Sequence, residues 1–181
     1  IKGVVNLSSD DELDDKFTTP FIQACWGGFL DVVKLLAEKG ANINILDGYD
    51  MTPLMTACNN NSYNEYSEDI VRFLISHKDI DIDKKDSDNH TALWNCVDGG
   101  NIKISKILID AGANINTYST KRNPFHFCGN DCPDKNTLLM KAIEMGSCDM
   151  VNFLIKKGVD TSEPVICNGT KSDYLRHPVD V

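Results

Sequence analysis

Thr52-Pro53-Leu54-Met55-Thr56-Ala57 (TPLMTA, residues 52–57) decides the fold, because similar hexapeptides begin at three other threonines of this 181-residue chain. They are TPFIQA at Thr19, TALWNC at Thr91 and TLLMKA at Thr137. The step from Thr19 to Thr52 is 33 residues, and the next two steps are longer by 6 and 13 residues. Self-similarity at a period of this length is the signature of stacked supersecondary units. The sequence therefore predicts four repeats interrupted by two insertions.

A second apolar patch with helical spacing follows each opening, at 32–36, 70–75, 104–109 and 150–155. Three of the four units then close at Gly40, Gly112 and Gly158, where a glycine can end the second helix in a left-handed conformation. The opening threonine is suited to cap the first helix, and a proline after it fits the first helical turn. Each unit is therefore predicted to be a helix, a turn, a second helix and a loop.

These units resemble the ankyrin repeat, whose pattern is a Thr-Pro-Leu-His opening, a Val-Val-Lys-Leu-Leu outer helix and a Gly-Ala-Asp-Val-Asn exit. The resemblance recurs in register and covers about residues 14–161. It implies an all-α ankyrin-repeat solenoid of helix-turn-helix units, with four full repeats and degenerate ends. The histidine of the opening is replaced here by Ile22, Met55, Trp94 and Met140. We expect side-chain packing to replace the hydrogen bonds of that histidine.

The repeat register divides the chain into three parts. Residues 1–17 are predicted to be an acidic segment carrying the remnant of an upstream repeat, and residues 18–161 the four repeats. Residues 162–181 are predicted to be a half-repeat cap and tail, with an inner helix that begins at Thr170. The extra residues fall mainly near 59–68 and in 117–136, and we expect the second insertion to be a protruding loop.

Charge and composition favour some partners over others. The chain has 27 acidic and 18 basic side chains, a net charge of −9, which favours a basic partner and argues against nucleic acid. No apolar run is long enough to span a membrane. Seven cysteines without a tight framework predict a reducing, cytoplasmic location, with Cys25, Cys58 and Cys96 buried as small apolar residues. A monomer is expected.

One cluster of side chains is of the types that bind metal ions. His126, Cys128 and Cys132 form His-x-Cys-x3-Cys, three ligands of the types that zinc binds, but a fourth ligand is missing. A disulfide between Cys128 and Cys132, or two reduced thiols, are the alternatives. No activating base or oxyanion motif can be placed beside the other cysteines, so no catalytic residue, metal or cofactor is predicted and the chain is not expected to be an enzyme.

The leading functional hypothesis is a protein-interaction scaffold that binds a basic protein, in the role of an inhibitor or immunity-type protein. The alternative is a regulatory or targeting module of a larger enzyme or effector. The ankyrin resemblance implies contacts at hairpin tips and at the ends of the inner helices, on the concave face. The predicted contact residues are Trp26, Tyr49, Met51, Asn59, Asp88, His90, Asp98, Asp134, Glu144 and Met145.

Overall fold

The computed structural model describes residues 18–59, 67–120 and 136–162, and these ranges contain eight α-helices and two short strands. The inner helices are α1 (Pro20–Trp26), α3 (Pro53–Asn59), α5 (Ala92–Asp98) and α7 (Leu138–Glu144). The outer helices are α2 (Leu30–Glu38), α4 (Ser67–Ile75), α6 (Ile102–Asp110) and α8 (Cys148–Lys156). The strands are β1 (Tyr118–Ser119) and β2 (Asn136–Thr137).

The helices form two stacked layers. Inner helix packs on inner helix from α1 through α3 and α5 to α7, and the outer helices α2, α4 and α6 pack on one another in the same order. Within each unit the inner helix also packs on its own outer helix. This arrangement is the predicted all-α solenoid, in which each unit makes its main contacts with its neighbours.

Each inner helix begins at the predicted threonine. The hydroxyl oxygen of Thr52 accepts a hydrogen bond from the Met55 N–H at 3.1 Å. The hydroxyls of Thr19, Thr91 and Thr137 accept the equivalent bond at 3.3 Å. The third and fourth units lack the proline after the threonine, yet α5 and α7 begin at the same place, because the cap alone satisfies an otherwise unpaired N–H group.

Packing replaces the missing histidines, as the sequence predicts. Ile22, Met55 and Trp94 are buried and Met140 is half-buried. The Thr52 N–H also lies 3.4 Å from the Met55 sulfur, a weak acceptor. A buried side chain of this size stabilises the fold by about 1.5–3 kcal/mol, so these apolar residues in place of the family's histidine cost the repeat little stability.

The predicted cysteine core is confirmed for Cys25, Cys58 and Cys96, which are all buried with free thiols. Burial raises the pKa of Cys25 to about 12 and holds the pKa of Cys58 well above its ordinary value. A thiol that stays protonated is neither a nucleophile nor a metal ligand, so Cys25 and Cys58 act as small apolar residues.

The exits of successive units are tied together by hydrogen bonds. Gly40, Gly112 and Gly158 have φ angles of 88°, 99° and 84°, which confirms the predicted left-handed helix ends. The Asn44 side chain donates to the Asp79 carbonyl at 2.6 Å and accepts from the Asp81 N–H at 3.0 Å. Equivalent bonds run from the Asn114 N–H to the Asp83 carboxylate and from the Asp160 N–H to the Asn116 side chain, each at 2.9 Å.

The second insertion differs from the predicted loop at both of its ends. β1 and β2 pair antiparallel, with Tyr118 opposite Thr137 and Ser119 opposite Asn136. Ser119 is buried within this pairing, which satisfies backbone groups that a buried loop would leave unpaired. The rest of the insertion, at 121–135, lies outside the described residues. So do residues 1–17, 60–66 and 163–181, which hold the predicted N-terminal segment, most of the first insertion and nearly all of the predicted C-terminal cap and tail.

Candidate protein-interaction surface

The hairpins before the inner helices are shaped by aspartates. The Asp47 carboxylate accepts hydrogen bonds from the N–H groups of Tyr49 at 2.8 Å and Met51 at 2.9 Å. Asp50 has a φ of 59°, a conformation that Asp tolerates better than most residues. This local geometry leaves the Tyr49 side chain exposed and packs Met51 against the core.

The next hairpin repeats the same design. The Asp86 carboxylate accepts from the N–H groups of Asp88 at 2.9 Å and His90 at 2.8 Å, and Asn89 has a φ of 68°. Two hairpins of one shape therefore present Tyr49 and Asp88, each three residues before an opening threonine, at equivalent positions.

The two hairpins carry a negative field. Burial is the largest cause that raises the pKa of Asp47, the hydrogen bond from the Met51 N–H lowers it, and the charges of Asp50 and Asp86 raise it again. The charges of Asp50 and Asp86 thus disfavour the ionised form of Asp47. Such a field attracts a positively charged partner.

The C-terminal ends of the inner helices form the second part of the surface. Trp26, Asn59, Asp98 and Glu144 each lie seven residues after an opening threonine, and all are exposed. Trp26 is 60% exposed, and the other three units carry a polar residue at this position. Solenoid packing therefore does not require a large apolar side chain there. Exposed tryptophans of this kind are favoured as anchors in protein interfaces.

The predicted acidic contacts at the far end have partners within the chain. The Lys141 ammonium lies 2.7 Å from the Asp98 carboxylate. The Asn136 side chain donates to both carboxylate oxygens of Glu144, at 3.1 and 3.2 Å. Asp98 thereby links the third unit to the fourth, and Glu144 links the end of α7 to β2, so these carboxylates serve the fold as well as the surface.

His90 belongs to an internal network. Its ring stacks on Trp94 with centroids 5.2 Å apart, its Nδ1 lies 3.3 Å from the Asp86 carboxylate, and its Nε2 lies 2.8 Å from the Ser119 hydroxyl oxygen. Asp86, His90 and Ser119 therefore follow the order of a catalytic triad. The Ser119 side chain is fully buried, however, and its hydroxyl donates to the Asp88 carbonyl at 3.2 Å. A nucleophile must reach its substrate, so this network instead fastens β1 to the hairpin 86–90.

The structure thus brings the predicted residues together in two groups. Tyr49, Met51, Asp88 and His90 lie on the hairpins, and Trp26, Asn59, Asp98, Glu144 and Met145 lie at or beside the helix ends. Asp134 lies outside the described residues, as do the candidate zinc ligands at 126, 128 and 132. Within the described ranges, no group of three or more His, Cys, Asp or Glu side chains is placed to hold a metal ion. No helix in the same ranges is long and apolar enough to cross a membrane.

Sequence reasoning missed one exposed apolar cluster, at Phe29, Val32 and Leu35. The Phe29 ring packs over Gly27, where an added Cβ atom would lie 2.4 Å from it. The sequence signal for this cluster was its place in the first of the four units of the repeat register. Val32 is 44% exposed, while the equivalent Ile70, Ile104 and Met150 are at most 3% exposed. Val32 thus lies on the face that other units bury against a preceding repeat.

Comparison with known proteins agrees with this architecture. The family model for ankyrin repeats (3 copies) matches residues 3–86, 21–119 and 62–164. A putative ankyrin repeat protein of Acanthamoeba polyphaga mimivirus is 34% identical over 141 residues, which are 75% of this chain and 77% of that protein. The ankyrin repeat and KH domain-containing protein mask-1 of Caenorhabditis elegans is 33% identical over 103 residues, 56% of this chain but 4% of that protein.

The serine/threonine-protein kinase TNNI3K of Mus musculus is 27% identical over 170 residues, 91% of this chain and 18% of the kinase. The chain therefore spans only a small part of mask-1 and of this kinase. The described part of the chain has eight helices in two stacked layers and four threonine-capped units, and the family model matches most of the sequence. The chain belongs to the ankyrin-repeat family.

Proposed function

We propose that this chain is a protein-interaction module that binds one protein partner on the surface formed by the two hairpins and the exposed ends of the inner helices. Ankyrin repeats are non-catalytic interaction modules, and this supports the general class. The observation that carries the proposal is Trp26, a large apolar side chain exposed at a position where the other units carry polar residues. Tyr49 on the hairpin before α3 supplies a second exposed aromatic side chain.

The proposed partner is basic. The net charge of −9 and the mutual repulsion of the hairpin carboxylates support this choice, since complementary charge speeds association and disfavours wrong partners. An inhibitor or immunity-type protein that acts as a monomer in the cytoplasm against a basic toxin or nuclease has this chemistry. The aromatic side chains would supply affinity, and the acids would orient the partner.

The test separates these two contributions once a partner has been captured. Replacing Trp26 and Tyr49 together by Ala should weaken binding by about 2 kcal/mol or more, chiefly by faster dissociation. Replacing Asp50 and Asp88 together by Asn should mainly slow association, and the difference should shrink in high salt. Val32→Ala, an exposed apolar residue away from this surface, is the matched control. Parent-like binding by both double variants would refute the proposed surface.

The alternative function is a regulatory or targeting module of a larger enzyme or effector. It is favoured by the exposed Val32, because a further repeat packed on α2 would bury this side chain as the equivalent ones are buried in the later units. The likeness to part of a protein kinase is consistent with this alternative. Sequencing the intact transcript distinguishes the two functions. A reading frame that continues into a catalytic domain supports the alternative, and a frame without one argues against it.

A further inference from the structure

The turn between α1 and α2 carries two large aromatic side chains at positions where the other units carry polar ones. Trp26 is 60% exposed and Phe29 is 61% exposed. In the other three units the position of Trp26 holds Asn59, Asp98 and Glu144, and the position of Phe29 holds Ser67, Asn101 and Ser147. Stacking of the repeats therefore does not require an aromatic side chain at either position.

Phe29 occupies the N-cap position of α2, where it weakens the start of the helix. At the same position Asn101 accepts a hydrogen bond from the Ile104 N–H at 3.0 Å, and Ser147 accepts one from the Met150 N–H at 3.3 Å. The Phe29 side chain makes no such bond, because a phenyl ring lacks the oxygen that a cap requires. A side chain that is exposed and also breaks a local rule of folding is typical of a functional position.

The backbone beside Phe29 leaves room for its ring. The ring lies over Gly27, where any added Cβ atom would collide with it. The glycine thus allows the ring to rest against the turn. An aromatic ring has few rotatable bonds to immobilise, so it is suited to act as an anchor in an interface.

The same row of helix ends carries negative charge further along the solenoid. The Asp98 side chain is 50% exposed, although it contacts Lys141. The inner helices α1, α3 and α5 pack side by side, and packed helices lie about 8–10 Å apart, so Asp98 lies roughly 20 Å from Trp26. An extended peptide advances about 3.3 Å per residue and covers this distance in about six residues.

We propose that Trp26 and Phe29 together bind one large apolar side chain of the partner, and that a basic residue about six positions along the same extended segment pairs with Asp98. This inference rests on the proposed function and names the kind of segment that the partner presents. The two rings bury apolar area on binding, and the complementary charge at Asp98 fixes the direction of the segment.

The first test needs no partner and is made by thermal unfolding of the full chain. Phe29→Asn copies the cap that Asn101 provides, so it should raise the melting temperature by roughly 2–4 °C. Asn101→Ala, which removes that cap from α6, should lower the melting temperature by a similar amount. A lower melting temperature for Phe29→Asn would show that the ring stabilises the fold, and would overturn the proposal.

The second test selects a phage-displayed library of random peptides, about twelve residues long, on the immobilised full chain. The selected peptides should carry an aromatic or aliphatic residue and a Lys or Arg about six positions apart. Phe29→Asn should weaken their binding by about tenfold or more, and Asp98→Asn should weaken it at low salt more than at high salt. Leu35→Ala, which truncates a 52% exposed side chain on the same helix, is the matched control and should bind as the parent does.

The outcomes separate this inference from the proposed function. A library that yields no peptide dependent on Phe29 overturns this inference alone, since the proposed function also allows a folded partner. The same holds if replacing Trp26 and Tyr49 by Ala weakens the captured partner while Phe29→Asn does not. A concentration-dependent dimer that Phe29→Asn dissociates would also overturn it and assign the two rings to a second copy of the chain.

Discussion

Leu108 offers the most direct measure of how the solenoid is held together. Its side chain on α6 is fully buried beside the buried Ile104 and the neighbouring outer helix α4. Leu108→Ala removes apolar atoms from a site that the stacked units cannot easily refill, so it should cost about 2–5 kcal/mol. The melting temperature should fall by about 2–4 °C for each kcal/mol. Because the third unit lies between the second and the fourth, Leu108→Ala should also weaken the energetic coupling between those two units.

The assay is urea unfolding followed by circular dichroism, with Leu35→Ala as the matched control. Leu35 lies on an outer helix as Leu108 does, but its side chain is 52% exposed, so the same substitution should change the free energy of unfolding by less than about 0.5 kcal/mol. A loss below about 0.5 kcal/mol for Leu108→Ala would refute the assignment of its core position. An equal loss for both variants would show that the exposed face of α2 is covered in the full chain.

Two further predictions concern the hairpins and the insertion. Burial and the charges of Asp50 and Asp86 raise the pKa of Asp47 in the folded state, so ionisation of Asp47 lowers the stability of the parent as the pH rises through the carboxyl range. The Asp47→Asn variant keeps the hydrogen-bond acceptor but carries no charge, so its stability relative to the parent should rise from pH 3 to about pH 7 in thermal unfolding. A difference that stays constant with pH would contradict this. Deleting residues 122–134, the 13 extra residues, should leave a cooperatively folded chain, since loop length affects stability weakly, and collapse of the variant would show that the insertion belongs to the core.

The positions of the candidate surface residues were largely predictable from the sequence, but their contacts with other residues of the chain were not. The repeat register places Trp26, Asn59, Asp98 and Glu144 at equivalent positions without any coordinates. It does not reveal that Asp98 contacts Lys141, because that contact joins residues far apart in sequence. The acids therefore looked uniformly available for a partner, whereas the structure shows that some of them also connect elements of the fold.

The sequence by itself determined the features that depend on neighbouring residues. A threonine cap, a glycine at a helix end and the helical spacing of apolar side chains each act within about four positions, so the units and their register follow from local chemistry. The packing of Ile22, Met55 and Trp94 in place of the histidines was likewise predictable, because this position of the inner helix faces the interior in the first three units.

Only the tertiary structure decided what joins distant segments. The pairing of β1 with β2, and the hydrogen bonds from Ser119 to His90 and to the Asp88 carbonyl, bring together residues 17 to 31 positions apart. No local pattern specifies such contacts, because each partner is satisfied only when stacking has already placed the other beside it. The exposure of a side chain is likewise decided by the tertiary structure. Val32 and Ile143 are apolar like their equivalents in the other units, but they are exposed because no described unit packs on one side of them.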